Sequence, residues 1–120
     1  MRLFAAFLLA AALAAAADVS GDWSGKTTVS INGKLEEDTM YLSLKQIADL
    51  ITGTAGPTLR QQAPIRNGKI EGNRVRFEMP VPKGLFRFDL NLVNEHLTGS
   101  VVADAQGQSI KATLDAIRVK

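Results

Sequence analysis

From residue 65 to the end of the chain, apolar and polar residues alternate almost without a break. Ile70, Val75, Phe77, Met79, Phe86, Phe88, Leu90, Leu92, Leu97, Val101, Ile110 and Leu114 fall on one side of that alternation, and Lys69, Arg74, Arg76, Glu78, Arg87, Asp89 and Asn91 on the other. A period of two is the mark of a strand with one buried face. Gly72-Asn73, Pro80-Val81-Pro82-Lys83, Asn94-Glu95 and Gln106-Gly107 interrupt the run with turn chemistry. They predict five antiparallel strands near 65–71, 74–80, 84–92, 95–103 and 109–119. The implied registers set Ile70 opposite Val75, Met79 opposite Gly84, Phe77 opposite Phe86, Val75 opposite Phe88, Leu92 opposite Leu97, and Val101 opposite Ala112. All four turns place apolar residues on the same face, and a slip of one residue would reverse it. Ile65 and Ile70 have opposite parity, so a bulge is expected around Asn67-Gly68.

The first half begins at Gly21-Asp22-Trp23-Ser24-Gly25, with Trp23, Gly25, Thr27, Val29 and Ile31 facing one way. Asn32-Gly33 is a hairpin signal, and the charged stretch Lys34 to Asp38 is expected to project beyond a rim. Met40, Leu42 and Leu44 continue the alternation. Leu44, Ile47, Ala48 and Ile51 also lie at helical spacing, but Thr52-Gly53-Thr54 is poor helix sequence and selects strand, turn, strand. Pro57 to Pro64 reads as the longest loop. Strands near 22–31, 38–46 and 49–55 bring the count to eight. An open meander would leave two bare edges, and joining the first strand to the last removes both. The predicted fold is therefore all-β: an eight-stranded antiparallel up-and-down meander barrel, with Arg118 arriving near Trp23.

The inward set is Trp23, Met40, Leu42, Leu44, Ile51 and the twelve apolar residues named first. Two readings of it stand. It lines an apolar pocket, or it fills a core, as small eight-stranded barrels can. Small inward residues (Gly25, Gly53, Gly99, Ala103 and Ala112) leave volume for the first reading. The residues expected to touch a small apolar ligand are Trp23, Phe77, Phe86, Phe88 and Leu90.

Composition sets the address and removes other chemistries. Arg2, the apolar run Leu3 to Leu13 and the small residues Ala14 to Ala17 form a secretory signal, too short to span a bilayer. The expected product is a barrel domain over 18–120, periplasmic or extracellular, with no membrane span. The chain has no cysteine, which excludes a disulfide framework, a thiolate metal site and a lipidated N-terminal cysteine. Loss of Arg2 lowers the net charge from +2 to +1, which gives no case for nucleic acid or anionic membrane as a partner. The span from Arg60 to Arg87 nevertheless holds seven bases and two acids. The registers set Lys69, Arg76 and Arg87 side by side on the outer face, a candidate patch for an anionic partner. Glu71, Asp89 and Glu78 flank it, so a balanced solvated face is the plainer reading. His96 is the only histidine, and Glu36, Glu37 and Asp38 lack calcium-loop spacing, so no metal or other cofactor is expected. There is no nucleophile elbow, phosphate loop or zinc motif, and one Trp and one Tyr make no sugar platform. The chain reads as a non-enzyme.

Gly21-Asp22-Trp23 at the start of the first strand, eight meander strands and a basic residue late in the last strand resemble the lipocalin and avidin group of calycin-type barrels. Leu97-Thr98-Gly99-Ser100 is similar to the strand openings of avidin-type proteins. Gly68-Lys69-Ile70-Glu71-Gly72 followed by Phe77 resembles small uncharacterised secreted bacterial proteins of lipocalin-like type. The resemblance implies structural roles for Gly21, a barrel-floor tryptophan at Trp23 and a packing arginine at Arg118. It also implies a ligand cavity. The tryptophans of a biotin site are missing, so biotin is not implied. The start of the barrel is also similar to that of small periplasmic inhibitors of metalloproteases, whose disulfide and longer N-terminal segment are absent here. The leading expectation is an exported lipocalin-like barrel holding a small apolar ligand. The alternative is a filled barrel acting as an envelope protein-interaction module or protease inhibitor.

Overall fold

Tight corners dominate the architecture. The computed structural model describes residues 18–119, and the expected secretory signal lies outside them. The strands are β1 (Gly21–Ile31), β2 (Lys34–Ile47), β3 (Leu50–Gly56), β4 (Ala63–Pro64), β5 (Arg66–Glu71), β6 (Arg74–Val81), β7 (Gly84–Val93), β8 (His96–Ala105) and β9 (Gln108–Arg118). Two-residue links join β1 to β2, β2 to β3, and each consecutive pair from β5 to β9. Asn32, Ala48, Gly72, Asn94, Glu95 and Gln106 take positive φ there, as short hairpin turns require. The alternative helix over 44–51 is absent, because Ala48-Asp49 makes one of these corners.

All pairings are antiparallel. The sheet runs β2-β1-β9-β8-β7-β6-β5-β3, and β2 also pairs with β3, which closes it. β4 and β5 both pair with β3 and form one stave broken at Ile65, so the wall has eight staves. The register shift between Arg66 and Lys69, with Asn67 at φ 55°, is the expected bulge. β2 begins at Lys34, earlier than the alternation marks it, and the loop after Gly56 ends in the short β4.

One register departs from expectation. Val81 pairs with Gly84, so the turn is Pro82-Lys83 and the hairpin runs two residues further than a four-residue loop allows. Pro80 sits inside β6 opposite Leu85. In a two-residue hairpin Val81 exchanges hydrogen bonds with Gly84, so the bond that Pro80 cannot donate faces the other neighbour. The pairing of β5 with β6 has already ended at Glu78, and nothing is lost. The shift of two preserves the faces. It sets Phe77 on Phe88, stacked with centroids 4.5 Å apart, and it puts Asp89 and not Arg87 opposite Arg76.

The core holds Trp23, Met40, Leu42, Leu44, Ile51, Ile70, Val75, Phe77, Met79, Phe88, Leu90, Leu97, Val101 and Leu114, joined by Val19, Ala55 and Ala116. No polar residue is buried among the described ones. Phe86 and Leu92 are only partly buried, and Ile110 is 44% exposed beyond Ala112, where the ladder to β1 ends. Two inward glycines also act differently from expectation. A Cβ on Gly99 would lie 2.2 Å from the Asp89 carbonyl oxygen, and one on Gly53, whose φ is +144°, 1.9 Å from that of Ser43. These glycines admit the close approach of neighbouring backbone, and they create no ligand volume.

Candidate functional site

The two ends of the barrel differ. One end is sealed by residues from both termini. Val19 and Trp23 are fully buried there, and the Val19 carbonyl accepts a 3.0 Å hydrogen bond from Trp23 Nε1. Pairing of β1 with β9 brings Arg118 beside Trp23, with the guanidinium carbon 4.4 Å from the ring centroid. Arg118 Nη1 donates to the Ser20 carbonyl at 2.5 Å, Nη2 to the Asp18 carbonyl at 2.9 Å, and Nε to Glu95 Oε1 at 2.9 Å. A planar fork of donors suits three acceptors that a single ammonium could not span. Hydrogen bonds from the Ser20 backbone N–H and hydroxyl, with Arg118 nearby, hold the Asp18 carboxyl below its usual range. The arrangement clamps the chain ahead of β1 across the barrel floor.

The opposite end carries the β1–β2, β6–β7 and β8–β9 turns. Inward-facing residues there lose their cover. Thr27, Val29, Phe86, Ala103 and Ala112 are partly exposed, Ile31 is 41% exposed, and Ile110 opens further. Phe77 and Phe88, each 2% exposed, lie beneath them. The inward face of the rim continues onto Glu36 and Asp38, paired with Val29 and Thr27. The result is a mouth ringed by partly exposed apolar side chains, with an acidic lip on one side, above a buried lower half. It offers apolar contact beside the Thr27 hydroxyl and the Glu36 and Asp38 carboxylates. Among the described residues no group of three His, Cys, Asp or Glu converges as a metal site.

The outer wall offers polar ground. A broad depression of about 1030 Å3 crosses Lys26, Thr28, Ser100, Lys111 and Thr113, and a smaller one of about 430 Å3 lies over Lys69, Arg76 and Arg87. The arginines around them are paired: Arg74 with Asp89 (2.7 Å), Arg76 with Glu71 (2.5 Å), Arg66 with Glu78 (3.3 Å) and Arg87 with Asp104 (2.8 Å). Hydrogen bonds from Arg74 depress the Asp89 pKa and raise that of Arg74. Asp104 is held low first by the Ser109 hydroxyl and then by Arg87.

The structure thus separates the residues that the sequence groups together. Of the five expected ligand contacts, Phe86 lies at the mouth, Phe77 and Phe88 form its base, and Leu90 and Trp23 are buried in the filled half and floor. Lys69 does face Arg76, and Arg87 pairs with Glu78 and Val102, so the three cations do not form one row, although all three line the smaller depression. Gly21, at φ +133°, lies against Arg118 Nη1. Val19 had no signal in the pattern, because it precedes the first strand and belongs to no alternation. Val29 and Ile110 are visible as inward residues, but their exposure depends on their lying in the last rows at the rim.

The fold and its two unlike ends define a closed antiparallel β-barrel with one sealed and one open end. The chain matches no family model, no curated protein and no solved structure.

Proposed function

We propose that this is an exported, lipocalin-like carrier that holds the apolar part of a small molecule in the mouth of its barrel, without catalysis. The observation that supports it is the gradient of exposure along the inward face, from 0% at Trp23, Leu90 and Leu97 to 44% at Ile110. A core that served only stability would gain from covering Val29, Phe86 and Ile110, since each fully buried side chain of that size contributes about 1.5–3 kcal/mol. Leaving them uncovered presents apolar side chains beside a few polar groups, the composition in which small-molecule sites occur. The filled lower half confines the ligand to the upper rows, with Phe86 and the Phe77–Phe88 stack as its contacts. The apolar run and small residues of 1–17 support export to the periplasm or beyond.

Titration with N-phenyl-1-naphthylamine tests the reading. The expected result is saturable binding at one site per chain, weakened at least tenfold by Phe86→Asp or Val29→Asp and unchanged by Val93→Asp on the outer surface near the floor. Native mass spectrometry of protein purified from its own host is expected to show a retained small molecule. Non-saturable dye uptake together with an empty mass spectrum would favour the filled-barrel interaction module instead.

A further inference from the structure

We propose that the free edge of β2 at the mouth, from Leu35 to Thr39, docks a basic extended polypeptide segment by strand addition. The inference is independent of what the mouth holds. β2 is paired with β1 from Lys34 to Leu44, but its ladder with β3 starts only at Tyr41, opposite Gly56. Beyond that point the chain leaves at Pro57, and no described strand lies on that side of residues 34–40.

The direction of the backbone groups follows from four observations. The two-residue turn Asn32-Gly33 makes Ile31 and Lys34 a hydrogen-bonded pair, so even-numbered residues of β2 bond to β1. Thr27 Oγ1 finds the Asp38 carbonyl on the β1 side. The Gln46 N–H reaches Ser20 Oγ on that same side. The Tyr41 carbonyl points the other way, to Gln62 Nε2 at 3.3 Å. Odd-numbered Leu35, Glu37 and Thr39 therefore aim their N–H and C=O groups outward along the edge, and all three residues are exposed. Such a row is a template for an incoming strand.

Charge selects the guest. Glu36 and Asp38 flank the edge on the inner face and Glu37 on the outer, with Lys34 the only base in the stretch. A second copy pairing antiparallel about Glu37 would set Glu36 against Asp38 and Glu37 against Glu37, and like charges directly opposite are unfavourable. An alternating segment with lysine or arginine on either face meets acids instead, while Leu35, 76% exposed, gives an apolar neighbour to one guest residue.

The probe is a blocked seven-residue peptide alternating lysine and valine, with a glutamate–valine peptide as its control. The basic peptide is expected to slow amide exchange at Leu35, Glu37 and Thr39 at least tenfold, and the acidic one to do nothing. Glu37→Pro removes an outward N–H and spares the ladder to β1, so it is expected to weaken binding at least tenfold by fluorescence anisotropy. The triple variant Glu36→Gln, Glu37→Gln, Asp38→Asn is expected to lose discrimination between the peptides. If Glu37→Pro folds poorly, exchange in the unaltered chain still decides. Binding of the basic peptide without slowed exchange at those amides, equal binding of both peptides, or a dimer that protects the same amides would each overturn the proposal.

Discussion

At the scale of single residues, two side chains and two glycines carry testable weight. Arg118 is three-quarters covered and makes two hydrogen bonds to backbone carbonyls as well as a contact with the Trp23 ring. Hydrogen bonds to charged groups contribute about 1.5–3 kcal/mol and cation–π contacts about 0.5–2 kcal/mol. Arg118→Ala is therefore expected to cost about 2–4 kcal/mol in urea unfolding, and Arg118→Lys to recover less than half of that. Gly53→Ala combines a disallowed φ with a backbone collision and is expected to cost about 3 kcal/mol or more. Gly33→Ala meets no neighbouring atom and keeps only the φ penalty of about 1 kcal/mol. Asp89 sets an acid dependence. Its folded pKa lies below the ordinary 3.8, so its ion pair with Arg74 stabilises fully above that value and is lost as pH falls through the depressed one. The urea midpoint is expected to drop as pH is lowered from about 5 to about 2, and less steeply in Asp89→Asn.

At the scale of elements, the hairpins were the most legible feature of the chain, and the reason is physical. Asn32-Gly33, Gly72-Asn73, Asn94-Glu95 and Gln106-Gly107 each combine turn chemistry with alternation on both flanks, and the two-residue turn selects one register among those that parity allows. Pro80 misleads because proline ends an interior strand, whereas this one lies where the β5 side of β6 is already unpaired. The register it hides decides the surface electrostatics. With Arg76 opposite Asp89, short Hα–Hα contacts are expected between those two residues by NMR. Contacts from Arg76 to Arg87 would restore the shorter hairpin. Position along a strand decides cover in the core as well. Phe88 and Phe86 share a strand and a face, but only Phe88 is roofed. Phe88→Ala is expected to cost about 3–5 kcal/mol in urea unfolding, and Phe86→Ala less than half as much. Alternation tells which way a side chain points, and its distance from the rim tells how deeply it is covered; only the first is written locally.

At the scale of the whole molecule, the barrel is closed by long pairings of β1 with β9 and β2 with β3, yet only one end is sealed. Sealing needs residues that belong to no repeat: Val19 ahead of β1, Arg118 at the end of β9 and Glu95 in a turn. The candidate site is the consequence of the opposite condition, inward side chains in the last rows below the rim with nothing above them. The direct measurement is solvent paramagnetic relaxation on side-chain-labelled protein with a soluble gadolinium chelate. Strong enhancement at Val29, Phe86 and Ile110, with none at Val19, Leu90, Leu97 and Leu114, is the predicted outcome. Equal protection of both groups, or enhancement at Val19 and Leu97, would contradict a barrel closed at the Trp23 end and open at the other.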